Sequence, residues 1–154
     1  MFALGGFDEK RSGVPDLVMI GNNGSDSLLA GVRVLLVEDE TLVAMLLEDM
    51  IADLGGTVVG SASRVSRALE MVRDPGCGID LAVLDVNLGG EEVFPVASAL
   101  AEQRVPFAFS TGYGNAGLPE AWRSRPTLQK PFTQEQVTLV LESALRNGAS
   151  SAVS

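Results

Sequence analysis

The sequence predicts an α/β fold, a parallel sheet with helices on both faces, and three observations predict it. Short apolar runs alternate with stretches of helical periodicity. The runs are near-continuously apolar, as strands covered on both faces must be. Four of them end in polar residues, Asp39, Asp85, Thr111 and Lys130. In an open parallel sheet the carboxyl ends of the strands lie side by side at one edge, where such folds place their ligands. Acids, a hydroxyl and an ammonium group are therefore expected to converge on one site.

Residues 1–30 are rich in Gly, Ser, Asn and Asp around one apolar patch, Leu17-Val18-Met19-Ile20, and read as a flexible or loosely docked extension. The folded body is expected over 31–148, with 149–154 a small polar tail. The first strand, 32–37, runs into Glu38-Asp39. Leu42, Val43, Leu46, Leu47, Met50, Ile51 and Leu54 then follow the spacing of a helix with one buried face, which Gly55-Gly56 ends. Thr57-Val58-Val59-Gly60 is the second strand. Val65, Ala68, Leu69 and Val72 mark the second helix, with Ser63 as its expected N-cap and Pro75-Gly76 its break. The third strand, 79–84, leads to Asp85. Val93, Val96, Ala97 and Leu100 mark the third helix, and Phe107-Ala108-Phe109-Ser110 is the strand before Thr111. Gly117, Pro119 and Pro126 leave room for only about two helical turns before the fifth strand, so a fourth helix should be short or irregular. Thr127-Leu128-Gln129 precedes Lys130. Val137, Val140, Leu141, Ala144 and Leu145 mark the last helix, opened by a capping box of Thr133 and Gln136 and expected to close at Asn147-Gly148.

A chain of 154 residues with 46% hydrophobic content can bury the core of one domain. With 11 basic against 20 acidic residues the net charge is −9, which would repel a phosphate backbone, so direct nucleic-acid binding is not expected. His is absent and Cys77 is the lone cysteine, which leaves no internal disulfide and no thiolate and imidazole cluster for zinc. Cys77, in Pro75-Gly76-Cys77-Gly78, reads as a loop residue. The apolar start runs into Asp8-Glu9 with no basic leader and no run approaches membrane-spanning length, so neither export nor a membrane is expected and the cytoplasm is the expected compartment.

Carboxylates of Glu38, Asp39 and Asp85 brought within about 4 Å would repel by about 1 kcal/mol per pair in water and about 4 at an effective dielectric of 20. A bound cation removes that repulsion, and hard oxygen ligands suit Mg²⁺ or Mn²⁺. Lys130 and Thr111 then suit a phosphoryl group, whose oxygens need neutralising and orienting. Asp85, central in strand order, is the natural nucleophile, and its attack on a phosphoryl donor makes an acyl phosphate.

These residues resemble the receiver domains of two-component response regulators. The resemblance spans about residues 32–147 and rests on Val34-Leu35-Leu36-Val37-Glu38-Asp39-Glu40, Ala82-Val83-Leu84-Asp85, Thr111 and Lys130-Pro131-Phe132 in the right order. It implies a doubly wound, flavodoxin-like sheet in the order 2-1-3-4-5, and a Lys-Pro bond that is usually cis. It implies Glu38 and Asp39 as Mg²⁺ ligands, Asp85 as phosphoacceptor and ligand, and the backbone carbonyl of Asn87 as a further ligand. Thr111 would be the switch hydroxyl and Lys130 the lysine that contacts the phosphate. The implied protein is no enzyme: a histidine kinase or histidine phosphotransfer protein phosphorylates it, and it acts through a downstream protein partner or as a phosphate sink. Because only a short tail follows the last helix, output is expected by contact.

Two positions depart from that pattern, Gly89 where a proline is frequent and Leu128 where an aromatic is. Phe109-Ser110-Thr111-Gly112-Tyr113 instead resembles the Phe-Ala-Thr-Gly signature of an alphaproteobacterial subclass that includes stand-alone regulators. Ser110 competes with Thr111, but neighbouring strand residues face opposite ways, so only one should serve. Trp122 and Phe132 need no role beyond packing. Competing readings are a phosphorylation-independent interaction module and, more remotely, a dinucleotide-binding enzyme suggested by Gly112-Tyr113-Gly114-Asn115-Ala116-Gly117. The second is disfavoured because only 37 residues follow Gly117 (154 − 117), too few for the rest of such a fold.

Overall fold

The computed structural model describes residues 27–113 and 117–153, the last six by backbone alone. The apolar patch 17–20 and most of the expected extension lie outside the described residues. The elements are β1 (Arg33–Val37), α1 (Thr41–Asp53), β2 (Thr57–Ala62), α2 (Val65–Arg73), β3 (Leu81–Asp85), β4 (Asn87–Leu88), β5 (Glu91–Glu92), α3 (Phe94–Glu102), β6 (Phe107–Thr111), β7 (Thr127–Gln129) and α4 (Gln134–Val153). β2, β1, β3, β6 and β7 form, in that order, one parallel sheet, while β4 and β5 pair as a separate antiparallel hairpin. This is the predicted flavodoxin-like order, once the hairpin is set aside.

Alternation along the strands decides which helix meets which residue. Leu35, Val37, Ala82, Leu84, Phe107 and Phe109 pack with Ala68 and Val72 of α2 and Val96, Ala97 and Leu100 of α3. Val34, Leu36, Leu81, Val83, Ala108 and Leu128 pack with Leu47 and Ile51 of α1 and Val137, Leu141 and Ala144 of α4. Every residue of β3 and β6 is buried, because these strands are central and covered twice. On the α3 side, Phe107 and Phe109 pack edge to face at 5.4 Å, and Trp122 stands 5.9 and 6.1 Å from them. Trp122 is thus a packing residue, as expected.

Leu29 is fully buried, and its N–H donates to the Leu54 carbonyl. A Cβ on Gly56 would stand 2.9 Å from Ile51 and 3.0 Å from Leu29, so this turn accepts only glycine without the core giving way. At the other end of the chain the predicted capping box is present: Thr133 Oγ1 accepts from the Gln136 N–H and Gln136 Oε1 from the Thr133 N–H.

Three expectations differ from the structure, and one element was not foreseen. β2 continues to Ala62, because it pairs with β1 as far as Val37. Ser63 does not cap α2; Arg64 holds the N-cap position without a capping side chain, and the Val65 N–H is taken by Glu91 of the hairpin. α4 runs through Asn147-Gly148 to Val153. Glycine costs a helix only about 1 kcal/mol relative to alanine, and alanines at 149 and 152 favour continuation. The hairpin itself was not expected. Its two-residue loop, Gly89-Gly90, has φ of +57° and +98°, the paired positive values that tight hairpin loops require. Between β6 and β7, where a short or irregular helix was expected, the described residues include the 3₁₀ turn Glu120–Trp122 and no α-helix. The Lys130–Pro131 bond is cis.

Candidate functional site

The carboxyl ends of β1, β3 and β6 and the loop after β7 open on one hollow of about 410 Å³. Asp39, Glu40, Asp85, Asn87, Gly89, Gly90, Gly112, Tyr113 and Lys130 line it. Glu38, Asp39 and Asp85 each present a carboxylate oxygen within 4.8 Å of the others. β1 ends one residue before Glu38, whose N–H still pairs with β2 through the Ala62 carbonyl. The chain then leaves the sheet, so Glu38 stays buried at 4% exposure while Asp39 reaches the hollow. Asp85 is the last residue of β3; its Oδ1 accepts the Asn87 N–H at 3.2 Å.

Lys130 is the counter-charge. Its Nζ lies 3.2 Å from Asp85 Oδ2, 3.2 Å from Glu38 Oε1 and 3.3 Å from Glu40 Oε1. Burial works against its charge, but the Asp85 and Glu38 carboxylates outweigh burial and raise its pKa. Burial, with the Asp85 carboxyl beside it, pushes Glu38 from an ordinary 4.5 up to about 7 against the pull of the Glu40 N–H and Lys130. One ammonium does not neutralise this many acids. Glu38 Oε1 makes no hydrogen bond, since Lys130 Nζ approaches it without hydrogen-bond geometry. The set therefore fits a hard divalent cation: several carboxylate oxygens in reach of one point, one of them buried and short of a donor.

No family model matches the chain. The solution structure of SdrG from Sphingomonas melonis Fr1 is 47% identical, covers 75% of this chain and 96% of its own, and superposes with a TM-score of 0.67. The receiver domain of the Erythrobacter litoralis response regulator PhyR is 29% identical, covering 77% of this chain and 92% of its own at a TM-score of 0.64. The chain belongs to the response regulator receiver domains. Among curated relatives of this receiver is the transcriptional regulatory protein PdtaR of Mycobacterium tuberculosis, 30% identical over 119 residues. The match covers 73% of this chain but 56% of PdtaR, so the receiver spans about half the length of that relative. These relatives are regulators, in keeping with the expectation of a protein that is not an enzyme.

The receiver brings Glu38, Asp39, Asp85, Asn87 and Lys130 together at one edge, as their strand positions required. Thr111 does not line the hollow: it is 4% exposed and its Oγ1 accepts the Tyr113 N–H at 3.0 Å. Ser110 is fully buried with an unpartnered Oγ, pairing in register with Asp85. Among the described residues, the glycine-rich stretch after β6 is followed by 3₁₀ structure and by no α-helix before β7. Residues 114–116 of that motif lie outside the described residues. Sequence reasoning missed Glu40, the third acid on Lys130, although it directly follows the acidic pair. It also missed the Gly89-Gly90 loop, for which a glycine pair between two short strands was the available signal.

The raised Glu38 gives a testable pH dependence. The folded, metal-free protein holds a proton that the unfolded chain releases above about 4.5, so stability falls as pH rises toward 7 and levels off beyond it. Urea unfolding of metal-free protein should show a loss on the order of 1 kcal/mol between pH 5.5 and pH 8, after allowance for solvent screening. Glu38→Gln should flatten that slope; an equally steep slope in the variant would place the titration elsewhere.

Proposed function

We propose that the chain is a single-domain response regulator, residues 31–148 forming the receiver, that is phosphorylated on Asp85. The observation that carries this reading is the position of Asp85, with Lys130 Nζ 3.2 Å from Oδ2 and two further acids within 4.8 Å. A carboxylate oxygen of Asp85 attacks the phosphorus of a phosphohistidine. The new O–P bond forms as the donor's N–P bond breaks, leaving an acyl phosphate and a free imidazole. Lys130 neutralises a phosphoryl oxygen and Thr111 donates its hydroxyl to another. Mg²⁺, held by Glu38, Asp39, Asp85 and the Asn87 carbonyl, would supply charge neutralisation for the acids and for the incoming phosphoryl group.

The phosphodonor would be a histidine kinase or histidine phosphotransfer protein. A second hollow of about 370 Å³, lined by Glu40, Val43, Leu46, Lys130, Pro131 and Phe132, shares Glu40 and Lys130 with the first. Beside it on α1, Leu42 is 80% exposed and Met45 55%. This apolar ground, continuous with the site, supports docking of a donor helix there. A net charge of −9 argues against nucleic acid, and no described helix is long and apolar enough to cross a membrane. We assign the protein to the cytoplasm and its output to contact with a downstream protein.

Acetyl phosphate replaces the kinase in the test. Intact-mass measurement should show wild-type protein gaining one phosphoryl group in the presence of Mg²⁺ and none when the cation is chelated. No gain with acetyl phosphate or with a competent kinase would favour the phosphorylation-independent module.

A further inference from the structure

The β4–β5 hairpin stands between the acids and α2. On the site side, the Asn87 N–H donates to Asp85 Oδ1, and the position a Cβ would take on Gly89 lies 3.5 Å from Asp39 Oδ2. On the far side, Glu91 Oε1 accepts the Val65 N–H at 3.3 Å. Val65 is the first residue of α2, and α2 has no capping side chain of its own. The hairpin has two residue pairs, closed by Asn87 Oδ1 accepting from Gly90 N–H and by Val93 N–H donating to the Val86 carbonyl. A two-stranded ribbon this short does not hold itself in place. Its orientation over the acids depends on its anchors.

We propose that Glu91 is a positioning residue for the cation site: by capping α2 from outside the helix, it fixes the hairpin so that Asn87 and Gly89 stay over Asp85 and Asp39. This rests on the reading of those acids as a Mg²⁺ site. Glu91 does not line the hollow, so its effect passes through the hairpin backbone. The coupling runs both ways: whatever the cap adds to cation affinity, the cation adds to the cap. A side-chain cap of ordinary strength corresponds to about a fivefold change in an equilibrium, which sets the ceiling for the effect. A carboxylate near an acidic site could also act by charge alone. Glutamine separates the two, because it keeps the Oε1 acceptor and loses the charge.

The test is a calorimetric Mg²⁺ titration of the full chain, with hydrogen exchange at the Val65 amide read with and without Mg²⁺. Glu91→Ala should weaken Mg²⁺ binding by about three- to fivefold and abolish the slowing of Val65 exchange that Mg²⁺ produces in wild type. Glu91→Gln should stay within about twofold of wild type on both readouts. Wild-type affinity in Glu91→Ala, or Glu91→Gln falling as far as Glu91→Ala, overturns the proposal while leaving the cation site standing. Wild-type protein that takes up no Mg²⁺ overturns the cation site and the proposal together.

Discussion

Asp85→Asn should abolish phosphoryl acceptance outright while the protein stays folded. The amide has nearly the shape of the carboxylate and keeps an oxygen that can accept the Asn87 N–H, now 3.2 Å from Oδ1. It lacks the nucleophilic oxygen that the new O–P bond requires, and attack by a neutral amide is too slow to detect here. The charge change is favourable to the empty site, because it removes one of several crowded acids, and unfavourable to Lys130, which loses its contact with Oδ2. Glu38 and Glu40 remain as partners for the ammonium, so no buried charge is abandoned. Intact mass after acetyl phosphate and Mg²⁺ should show no gain, and urea unfolding should lie within about 1 kcal/mol of wild type. A phosphoryl group recovered on another residue of the variant would mean that Asp85 is not the acceptor.

The strand order came from the resemblance to receiver domains, whereas the parallel sheet and both layers of helices were legible from periodicity, central strands apolar on both faces and helices apolar on one. The convergence of Glu38, Asp39, Asp85 and Lys130 was legible for the same reason, since strand ends in a parallel sheet share an edge. What sequence could not supply were the contacts made across the chain. Ser63 looked like the cap of α2 from its neighbours alone, whereas the Val65 N–H is satisfied from Glu91, 26 residues on. Glu40 stood in the sequence only as the residue after the acidic pair, and its contact with Lys130 Nζ at 3.3 Å is made across the chain, 90 residues apart. The end of α4 was misjudged because a glycine's local preference is a small term beside the rest of a 20-residue helix.

Thr111→Ala should still accept phosphate but lose the conformational response to it. In this structure Thr111 Oγ1 is occupied as an acceptor by the Tyr113 N–H. Its hydroxyl proton remains to be given, and a phosphoryl group on Asp85, on the neighbouring strand, is the acceptor that would draw it. Turning toward that group breaks the bond to Tyr113 and releases the loop, a choice between two arrangements of one side chain. Tyr113 is 81% exposed, so little packing resists the change. Hydrogen exchange should show beryllofluoride altering protection at Tyr113 and along 117–125 in wild type, by about fivefold at Tyr113 for one hydrogen bond of ordinary strength. In Thr111→Ala that difference should vanish, with Lys130 and Mg²⁺ still holding the phosphoryl group. Ser110→Ala is the control: its Oγ is buried without a partner, so removing it should be neutral or slightly stabilising and leave the response intact. If Ser110→Ala silences the loop and Thr111→Ala does not, the switch belongs to the buried serine that shares its register with Asp85.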